Sequence, residues 1–160
     1  MQTALQQADE ALIAGDFPVG CVIEYEGEII ASGKRNNSFG QVNEMDHAEI
    51  SALRNLLATD MRVAMDKVTV YSTMEPCLMC FSTLLVNGVR RIVYGYEDVM
   101  GGGTNLPLSV LAPLYRQIKP VVVGSVLRQE SLTLFKTFFS SPTSQYLKDT
   151  LLANYTLQQA

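Results

Sequence analysis

The sequence predicts an α/β fold: a three-layer α/β/α sandwich whose five-stranded mixed sheet has strands 4 and 5 parallel. After an initial hairpin pattern, helix and strand patterns alternate to the end, which is typical of a sheet covered by helices on both faces. A helical pattern separates the fourth and fifth strands, and parallel neighbours need such a crossover, whereas a hairpin does not. The 160 residues, 48% hydrophobic and 18% charged, are enough to bury one core. We expect a single domain over residues 1–160, with a C-terminal helical extension at about 140–160.

The first half of the chain predicts a helix, a β-hairpin and a second helix. Gly15-Asp16 ends the first helical pattern, and Glu26-Gly27 provides the tight turn of the hairpin. A stretch rich in Asn, Ser and Gly, residues 33–44, predicts a loop before the second helix. The predicted elements are a helix over Thr3–Ala14, strands over Pro18–Tyr25 and Glu28–Ser32, and a helix over His47–Leu57.

The second half predicts strands that alternate with helices. Pro76 suits the first position of a helix, and Asn87-Gly88 ends that helix near Val86. Three consecutive glycines, Gly101–Gly103, predict a mobile loop near the functional site. The predicted strands are Val68–Ser72, Arg91–Tyr94 and Val121–Val126, and the later predicted helices are Leu108–Tyr115, Leu132–Phe139 and Tyr146–Tyr155.

Charge and composition count against several classes of protein. Twelve Lys and Arg against 16 Asp and Glu give a net charge of −4, which is unlike an obligate nucleic-acid binder. The sequence contains no run of about 18 apolar residues, so it predicts no membrane span. The polar start, Met1–Glu10, lacks the basic region of a secretory signal, and three cysteines do not make a disulfide scaffold. We therefore expect a cytoplasmic protein that makes no membrane contact.

Two short segments carry the residue types of a metal site, Asp46–Glu49 and Met74–Cys80, and each opens a predicted helix. Cys77 and Cys80 share a helix face because they are three residues apart, and a helix N-terminus favours the thiolate form. His47 is the only histidine, so neither a Cys₂His₂ nor a His₃ set is possible. These three side chains predict a zinc site with three protein ligands, the number typical of catalytic rather than structural sites.

The remaining cysteine and a glutamate complete this interpretation. Cys21 lies in a predicted core strand, where the role of a small buried hydrophobe is the commoner one. Glu49 follows His47 by two residues, so the two side chains point apart on a helix and are poorly placed as joint ligands. We predict Glu49 to be the general acid/base that carries a proton from the attacking water to the leaving group. A lone Cys-x-x-Cys would also fit a redox pair or half a zinc finger, but no second pair is present.

These residues resemble the signature of the cytidine and deoxycytidylate deaminase-like superfamily of zinc deaminases, His-x-Glu followed by Pro-Cys-x-x-Cys. Within that superfamily the chain is most similar to bacterial tRNA adenosine deaminases and related purine deaminases. The resemblance runs from about residue 4 to about residue 139, through Phe17–Gly20, His47–Ile50, Met74–Cys80 and Tyr94–Asp98. It implies a cytidine deaminase-like fold, one Zn²⁺ per chain and a homodimer.

The resemblance also implies roles for individual residues. The three predicted ligands match the family's zinc ligands, and Glu49 matches its proton-shuttling glutamate. Asn36, eleven residues before His47, matches an asparagine that contacts the substrate nucleoside. Val19 matches a position in the pocket wall, and Asp98 matches an acidic residue at the mouth of the site.

Three substrate and function hypotheses follow. The first is a hydrolytic deaminase that releases ammonia from a free base, nucleoside or nucleotide, with purines favoured by the resemblance. The alternative is adenosine in a tRNA, which the acidic charge disfavours. Three departures from the tRNA enzymes point the same way: Asp46 before the histidine, the 100–105 loop, and a C-terminal segment with only Lys148 against Asp149. A further alternative is a non-catalytic zinc subunit that binds nucleic acid or a catalytic partner. This hypothesis gives Glu49 no role.

Overall fold

Five strands form one mixed sheet in the computed structural model, which describes residues 1–160. In chain order the strands are β1 (Gly20–Tyr25), β2 (Glu28–Lys34), β3 (Thr69–Met74), β4 (Arg91–Tyr96) and β5 (Val121–Val123). Their order across the sheet is β2-β1-β3-β4-β5. β1 is antiparallel to β2 and β3, whereas the β3–β4 and β4–β5 pairs are parallel. The predicted mixed sheet with parallel fourth and fifth strands is confirmed.

Six α-helices accompany the sheet. They are α1 (Gln2–Ile13), α2 (Ala48–Leu57), α3 (Leu78–Val86), α4 (Pro113–Arg116), α5 (Arg128–Ser140) and α6 (Leu151–Gln158). α1 and α5 contact each other and the sheet, while α2 contacts β1, β2 and α3. None of the six combines the length and the apolar composition that a membrane crossing requires.

Two strand glycines establish that α1 and α2 cover opposite faces of the sheet. A Cβ on Gly20 would lie 2.1 Å from the Ala4 carbonyl oxygen in α1, and one on Gly33 would lie 2.4 Å from the Ala52 nitrogen in α2. Gly33 pairs with Cys21, the neighbour of Gly20, and successive strand residues point to opposite faces. The sheet is therefore the middle layer of the predicted α/β/α sandwich, and both glycines allow a helix backbone to approach it closely.

An aromatic cluster joins the N-terminal part of the chain to its C-terminal segment. The Phe17 ring lies 5.2 Å from those of Phe135 and Phe138 in α5 and 5.4 Å from that of Tyr146, measured between ring centroids. Phe17, Phe135 and Phe138 are buried, and burial of such a side chain is worth about 1.5–3 kcal/mol. The segment that follows α5 is consequently packed onto the domain, beside the residues that precede β1.

Several element boundaries differ from the predicted ones because of local backbone geometry. The predicted helix over 108–115 is a 3₁₀ turn, Leu108–Val110, followed by α4, since Ala112 is extended before Pro113. β5 ends at Val123, shortly before Ser125 takes a φ of 64°. α5 begins at Arg128 rather than at residue 132. The last helix begins at Leu151 rather than at 146, because Leu147 and Asp149 have positive φ.

Candidate active site

The starts of α2 and α3 lie side by side and bring three metal-ligating groups together. His47 is the N-terminal cap residue of α2, and Cys77 is that of α3, with Cys80 in the first turn. The Nδ1 atom of His47 lies 3.6 Å from the Cys77 sulfur and 3.5 Å from the Cys80 sulfur. All three donor atoms lie within 4.8 Å of one another. One imidazole nitrogen and two sulfurs form a donor set that suits zinc, so these residues fit the ion the sequence predicts.

Glu49 lies directly beside this group, with its side chain inside the protein. It is 3% exposed, and its two carboxylate oxygens accept hydrogen bonds from Ser72 Oγ at 3.3 Å and Cys80 Sγ at 3.5 Å. Burial raises the pKa of Glu49 above its ordinary value, against the opposing charge of His47. A buried carboxyl group whose pKa lies closer to neutrality can both accept and return a proton.

Hydrogen bonds make the two thiols unequal. The bond from the Cys80 thiol, with that from His47, lowers the pKa of Cys77 to about 4, although burial acts in the opposite direction. The same bond to Cys77, together with burial, raises the pKa of Cys80. Cys77 is therefore the thiol that ionises more readily, and each cysteine binds a metal in its thiolate form.

A cavity of about 230 Å³ opens next to these groups. Its apolar walls include Phe17, Val19, Met74, Tyr146, Leu147 and Leu152. The first three precede or belong to the sheet, and the last three come from the C-terminal segment. His47, Glu49 and Cys77 line the same cavity, which therefore combines apolar walls with a few polar groups, as is typical of a small-molecule site.

The structure brings most of the predicted site residues together around this cavity, but not all of them. Val19 is a buried part of its wall, and Asp98 is half-buried in its lining. Burial raises the pKa of Asp98 despite hydrogen bonds from the backbone of Met100 and Gly101. Asn36 lies outside the lining, is exposed, and donates its side-chain N–H to the Lys34 carbonyl at 3.2 Å.

Asp46 closes the loop before α2 instead of lining the cavity. Its Oδ2 accepts hydrogen bonds from Asn37 at 2.6 Å and from Asn43 at 2.8 Å. Its Oδ1 lies 3.7 Å from the guanidinium of Arg54. The negative charge of Asp46 is therefore directed at neighbouring loop and helix residues and not into the cavity.

The glycine-rich loop is tied to the site by Glu75. This buried carboxylate accepts hydrogen bonds from Thr104 Oγ1 at 2.5 Å and from the Asp98 backbone N–H at 3.2 Å. The Gly103 N–H donates to the Pro76 carbonyl at 2.9 Å, directly before Cys77. The predicted loop therefore lies beside the site, and Gly102 and Gly103 pack against the start of α3.

Three residues of the site stand outside the set of site residues that the sequence predicts. Arg35, Glu44 and Tyr146 line the cavity and contact one another. The first two belong to a stretch that predicts only a polar loop, and Tyr146 follows Glu44 by 102 residues. The available signal was weak: Glu44, in that predicted loop, precedes His47 by three residues, and a carboxylate often accompanies a metal-bound histidine.

A mixed sheet that brings a His-x-Glu helix start beside a Pro-Cys-x-x-Cys helix start defines a class of protein, the deaminases with a cytidine deaminase-like fold. The chain belongs to the cytidine and deoxycytidylate deaminase family, because the model of that family's zinc-binding region matches residues 1–96. This range contains His47, Glu49, Cys77 and Cys80. The resemblance found in the sequence is therefore confirmed.

The chain is similar to several characterised members of this superfamily. It is 32% identical to the tRNA-specific adenosine deaminase of Haemophilus influenzae over 139 residues, which cover 87% of this chain and 80% of the relative. It is 29% identical to that of Streptococcus pyogenes serotype M18 over 140 residues, 87% of each chain.

Solved structures give the same fold. A structure from work on A-to-I editing by tRNA:A34 deaminases has a TM-score of 0.65 at 26% identity, covering 84% of this chain and 96% of the other. The guanine deaminase of Nitrosomonas europaea has a TM-score of 0.62 at 22% identity, covering 83% and 79%.

Proposed function

We propose that this protein is a zinc-dependent hydrolytic deaminase whose metal is held by His47, Cys77 and Cys80. One observation carries the proposal: the Nδ1 atom of His47 faces both sulfurs, and the buried carboxylate of Glu49 lies against one of them. A purely structural zinc site does not need the Glu49 carboxylate. Because this side chain is buried, it does not contribute to the solubility of the protein either.

A zinc ion bound by these residues would supply Lewis-acid chemistry, lowering the pKa of a water molecule towards neutrality. Glu49 takes a proton from the attacking water and delivers it to the exocyclic amino nitrogen of the base. The water oxygen forms a bond to the ring carbon as the double bond from that carbon to the ring nitrogen opens, and the ring nitrogen takes up the second proton of the water. The bond between the carbon and the amino nitrogen then breaks, ammonia leaves, and the oxygen remains as a carbonyl. The raised pKa of Glu49 suits both the acceptance and the return of the proton.

The walls of the cavity hold the base in the orientation that this transfer needs. Phe17 and Val19, from the segment before β1, supply apolar contact together with Leu147 and Leu152 from the C-terminal segment. Asp98 lies in the lining as a hydrogen-bond acceptor for an N–H group of the substrate. Asn36 contacts the substrate in this proposal only after its side chain leaves the Lys34 carbonyl.

The first candidate substrate is adenosine in a tRNA. The relatives from Haemophilus influenzae and Streptococcus pyogenes are tRNA-specific adenosine deaminases, and the similarity covers at least four-fifths of each chain. The similarity to these relatives favours adenosine in a tRNA as the substrate. The net negative charge of the sequence instead favours a free base, nucleoside or nucleotide, and we give the similarity more weight.

A free purine or its nucleoside is the second candidate, because the lining of the cavity offers no free cation to a phosphate backbone. Glu44, Glu75 and Asp98 contribute carboxylates, while Arg35 is 2% exposed and bonded to Glu44. Lys34, the neighbouring cation, lies 2.9 Å from Glu10. RNA backbone contacts depend mainly on free Lys and Arg side chains.

One experiment separates these candidates. Inosine formation is measured in an anticodon stem-loop with adenosine at the wobble position, and ammonia release is measured on a panel of free bases, nucleosides and nucleotides. We expect conversion of the stem-loop, with a stem-loop carrying guanosine at that position and the Glu49→Ala protein as controls. Turnover of the panel alone would favour the second candidate. No turnover of either by a zinc-loaded protein would favour the non-catalytic zinc subunit.

A homodimer with one zinc per chain belongs to this proposal through the family resemblance. Sedimentation equilibrium is expected to give the mass of two 17.6 kDa chains. Metal analysis of the same sample is expected to give one zinc per chain. A monomer with one zinc per chain would refute the homodimer and leave the zinc site in place.

A further inference from the structure

The ring nitrogen of His47 that faces away from the sulfurs contacts a carboxylate. His47 Nε2 lies 3.2 Å from Glu44 Oε2, while Nδ1 lies between the two thiols. Glu44 precedes His47 by three residues, in the loop that leads into α2. The imidazole is thus bracketed by a hydrogen-bond acceptor on one side and by the metal-ligating sulfurs on the other.

This arrangement selects one tautomer of the histidine. A neutral imidazole carries one N–H and one lone pair, and a carboxylate beside Nε2 stabilises the proton on that atom. Nδ1 then presents its lone pair to the sulfurs and to any metal between them. A histidine without such a partner would divide between the two tautomers and would rotate more freely.

Glu44 is itself held in place by two further donors. Its Oε2 accepts hydrogen bonds from Arg35 at 3.0 Å and from the Tyr146 hydroxyl at 3.0 Å. Arg35 is 2% exposed, donates a second bond to the Asn43 carbonyl at 3.0 Å, and stacks over the Tyr146 ring at 5.2 Å. These contacts connect the histidine, through one carboxylate, to the C-terminal segment.

We infer that Glu44 is a positioning residue for His47, fixing the ring so that Nδ1 faces the metal, with Arg35 and Tyr146 as its anchors. The inference rests on the proposed function, since it concerns a ligand of the proposed zinc ion. Partners of this kind change metal affinity by about 10- to 100-fold. The Glu44 side chain is 60% exposed, and solvent screening places the expected effect near the lower end, at about tenfold.

Zinc affinity, measured by competition with a chromophoric chelator, gives the first test. Glu44→Gln removes the charge but keeps an acceptor for Arg35, and we expect it to bind zinc about tenfold more weakly than the wild type. Tyr146→Phe leaves both charges in place and removes one anchor, so a smaller loss is expected. Glu28→Gln, at an exposed position on the hairpin, is the matched control and is expected to leave zinc affinity unchanged.

The single histidine makes a spectroscopic test unambiguous. Protein labelled with ¹⁵N-histidine has one imidazole to observe, and its two nitrogens report the tautomer directly. We expect the zinc-loaded wild type to hold its proton on Nε2, with slow exchange against water, and Glu44→Gln to exchange that proton faster. A residue that only supported the fold would change the melting temperature without changing this signal.

Failure of this inference can be told apart from failure of the proposed function. A wild-type protein that binds no zinc would overturn both. Wild-type zinc binding, with the affinity and the Nε2 proton exchange unchanged in Glu44→Gln, would overturn the positioning role alone.

Discussion

Replacing Glu49 by glutamine tests the chemistry most directly, since it removes the charge and keeps the size of the side chain. The carboxylate is 3% exposed and lies 3.5 Å from the Cys80 sulfur, at the side of the cavity where the base would sit. General acid/base groups contribute about 10²- to 10⁴-fold in rate. At 1.36 kcal/mol for each factor of ten, the variant should lose about 2.7–5.4 kcal/mol of transition-state stabilisation.

The fold should tolerate this substitution. Burial already works against the charged form of Glu49, and the amide oxygen of glutamine can still accept the hydrogen bond from Ser72. We therefore expect the free energy of unfolding to change by no more than about 1 kcal/mol, the typical worth of one hydrogen bond. Urea denaturation monitored by circular dichroism measures it.

The assay compares turnover and zinc content in the same preparations. Ser72→Ala is the matched control, because it removes a donor to Glu49 and leaves the carboxylate in place. Its expected loss is about fivefold, equivalent to a hydrogen bond of about 1 kcal/mol. If zinc-loaded Glu49→Gln turned over substrate as fast as Ser72→Ala, the assignment of Glu49 as the proton carrier would be refuted.

The remaining predictions concern metal content, packing and acid stability. The double variant Cys77→Ser, Cys80→Ser should lose most of its zinc in metal analysis, and full occupancy would contradict the ligand set. Gly33→Ala should cost about 1–3 kcal/mol in urea denaturation, because its Cβ would meet helix backbone at 2.4 Å; a cost equal to that of Ser32→Ala on the same strand would contradict this. Burial opposes ionisation of Glu97, but the hydrogen bonds from Arg128 outweigh burial and lower the pKa of Glu97. The ionised carboxylate therefore stabilises the fold above the ordinary glutamate pKa, and this stabilisation is lost as the pH falls. Glu97→Gln should therefore flatten the loss of stability below about pH 4.5 in acid denaturation curves, and an unchanged curve would contradict it.

The proposed metal site was predictable because its residues fall in two short segments, each of which is local in sequence. His47 and Cys77 cap two helices, and Glu49 and Cys80 lie in the first turns of the same helices. Helix periodicity, one histidine and the spacing of two thiols were enough to group them. Helical spacing grouped the residues within each segment, and the donor types, one histidine and two thiols, joined the two segments.

The rest of the site depends on contacts between distant segments. Tyr146 meets Glu44 across 102 residues, and no periodic pattern marks such a pair in advance. Arg35 reads as a surface cation next to Lys34, yet it is 2% exposed. The Asn43 carbonyl and Glu44 accept hydrogen bonds from its two terminal nitrogens, while its buried Nε has no partner. Boundaries near the end of the chain were displaced for a similar reason, since Leu147 adopts a positive φ that few non-glycine residues take.

The part played by the C-terminal segment in the cavity gives the chain an order of assembly during synthesis. Leu152, which lines the cavity, leaves the ribosome roughly 70 residues after Cys80, an interval of about 4–14 seconds at usual elongation rates. Throughout that interval His47 and both thiols have been translated, whereas one wall of the cavity has not. The three proposed ligands are thus synthesised before the residues that complete the cavity, so the ligand set and the enclosed pocket become available to the nascent chain in that order.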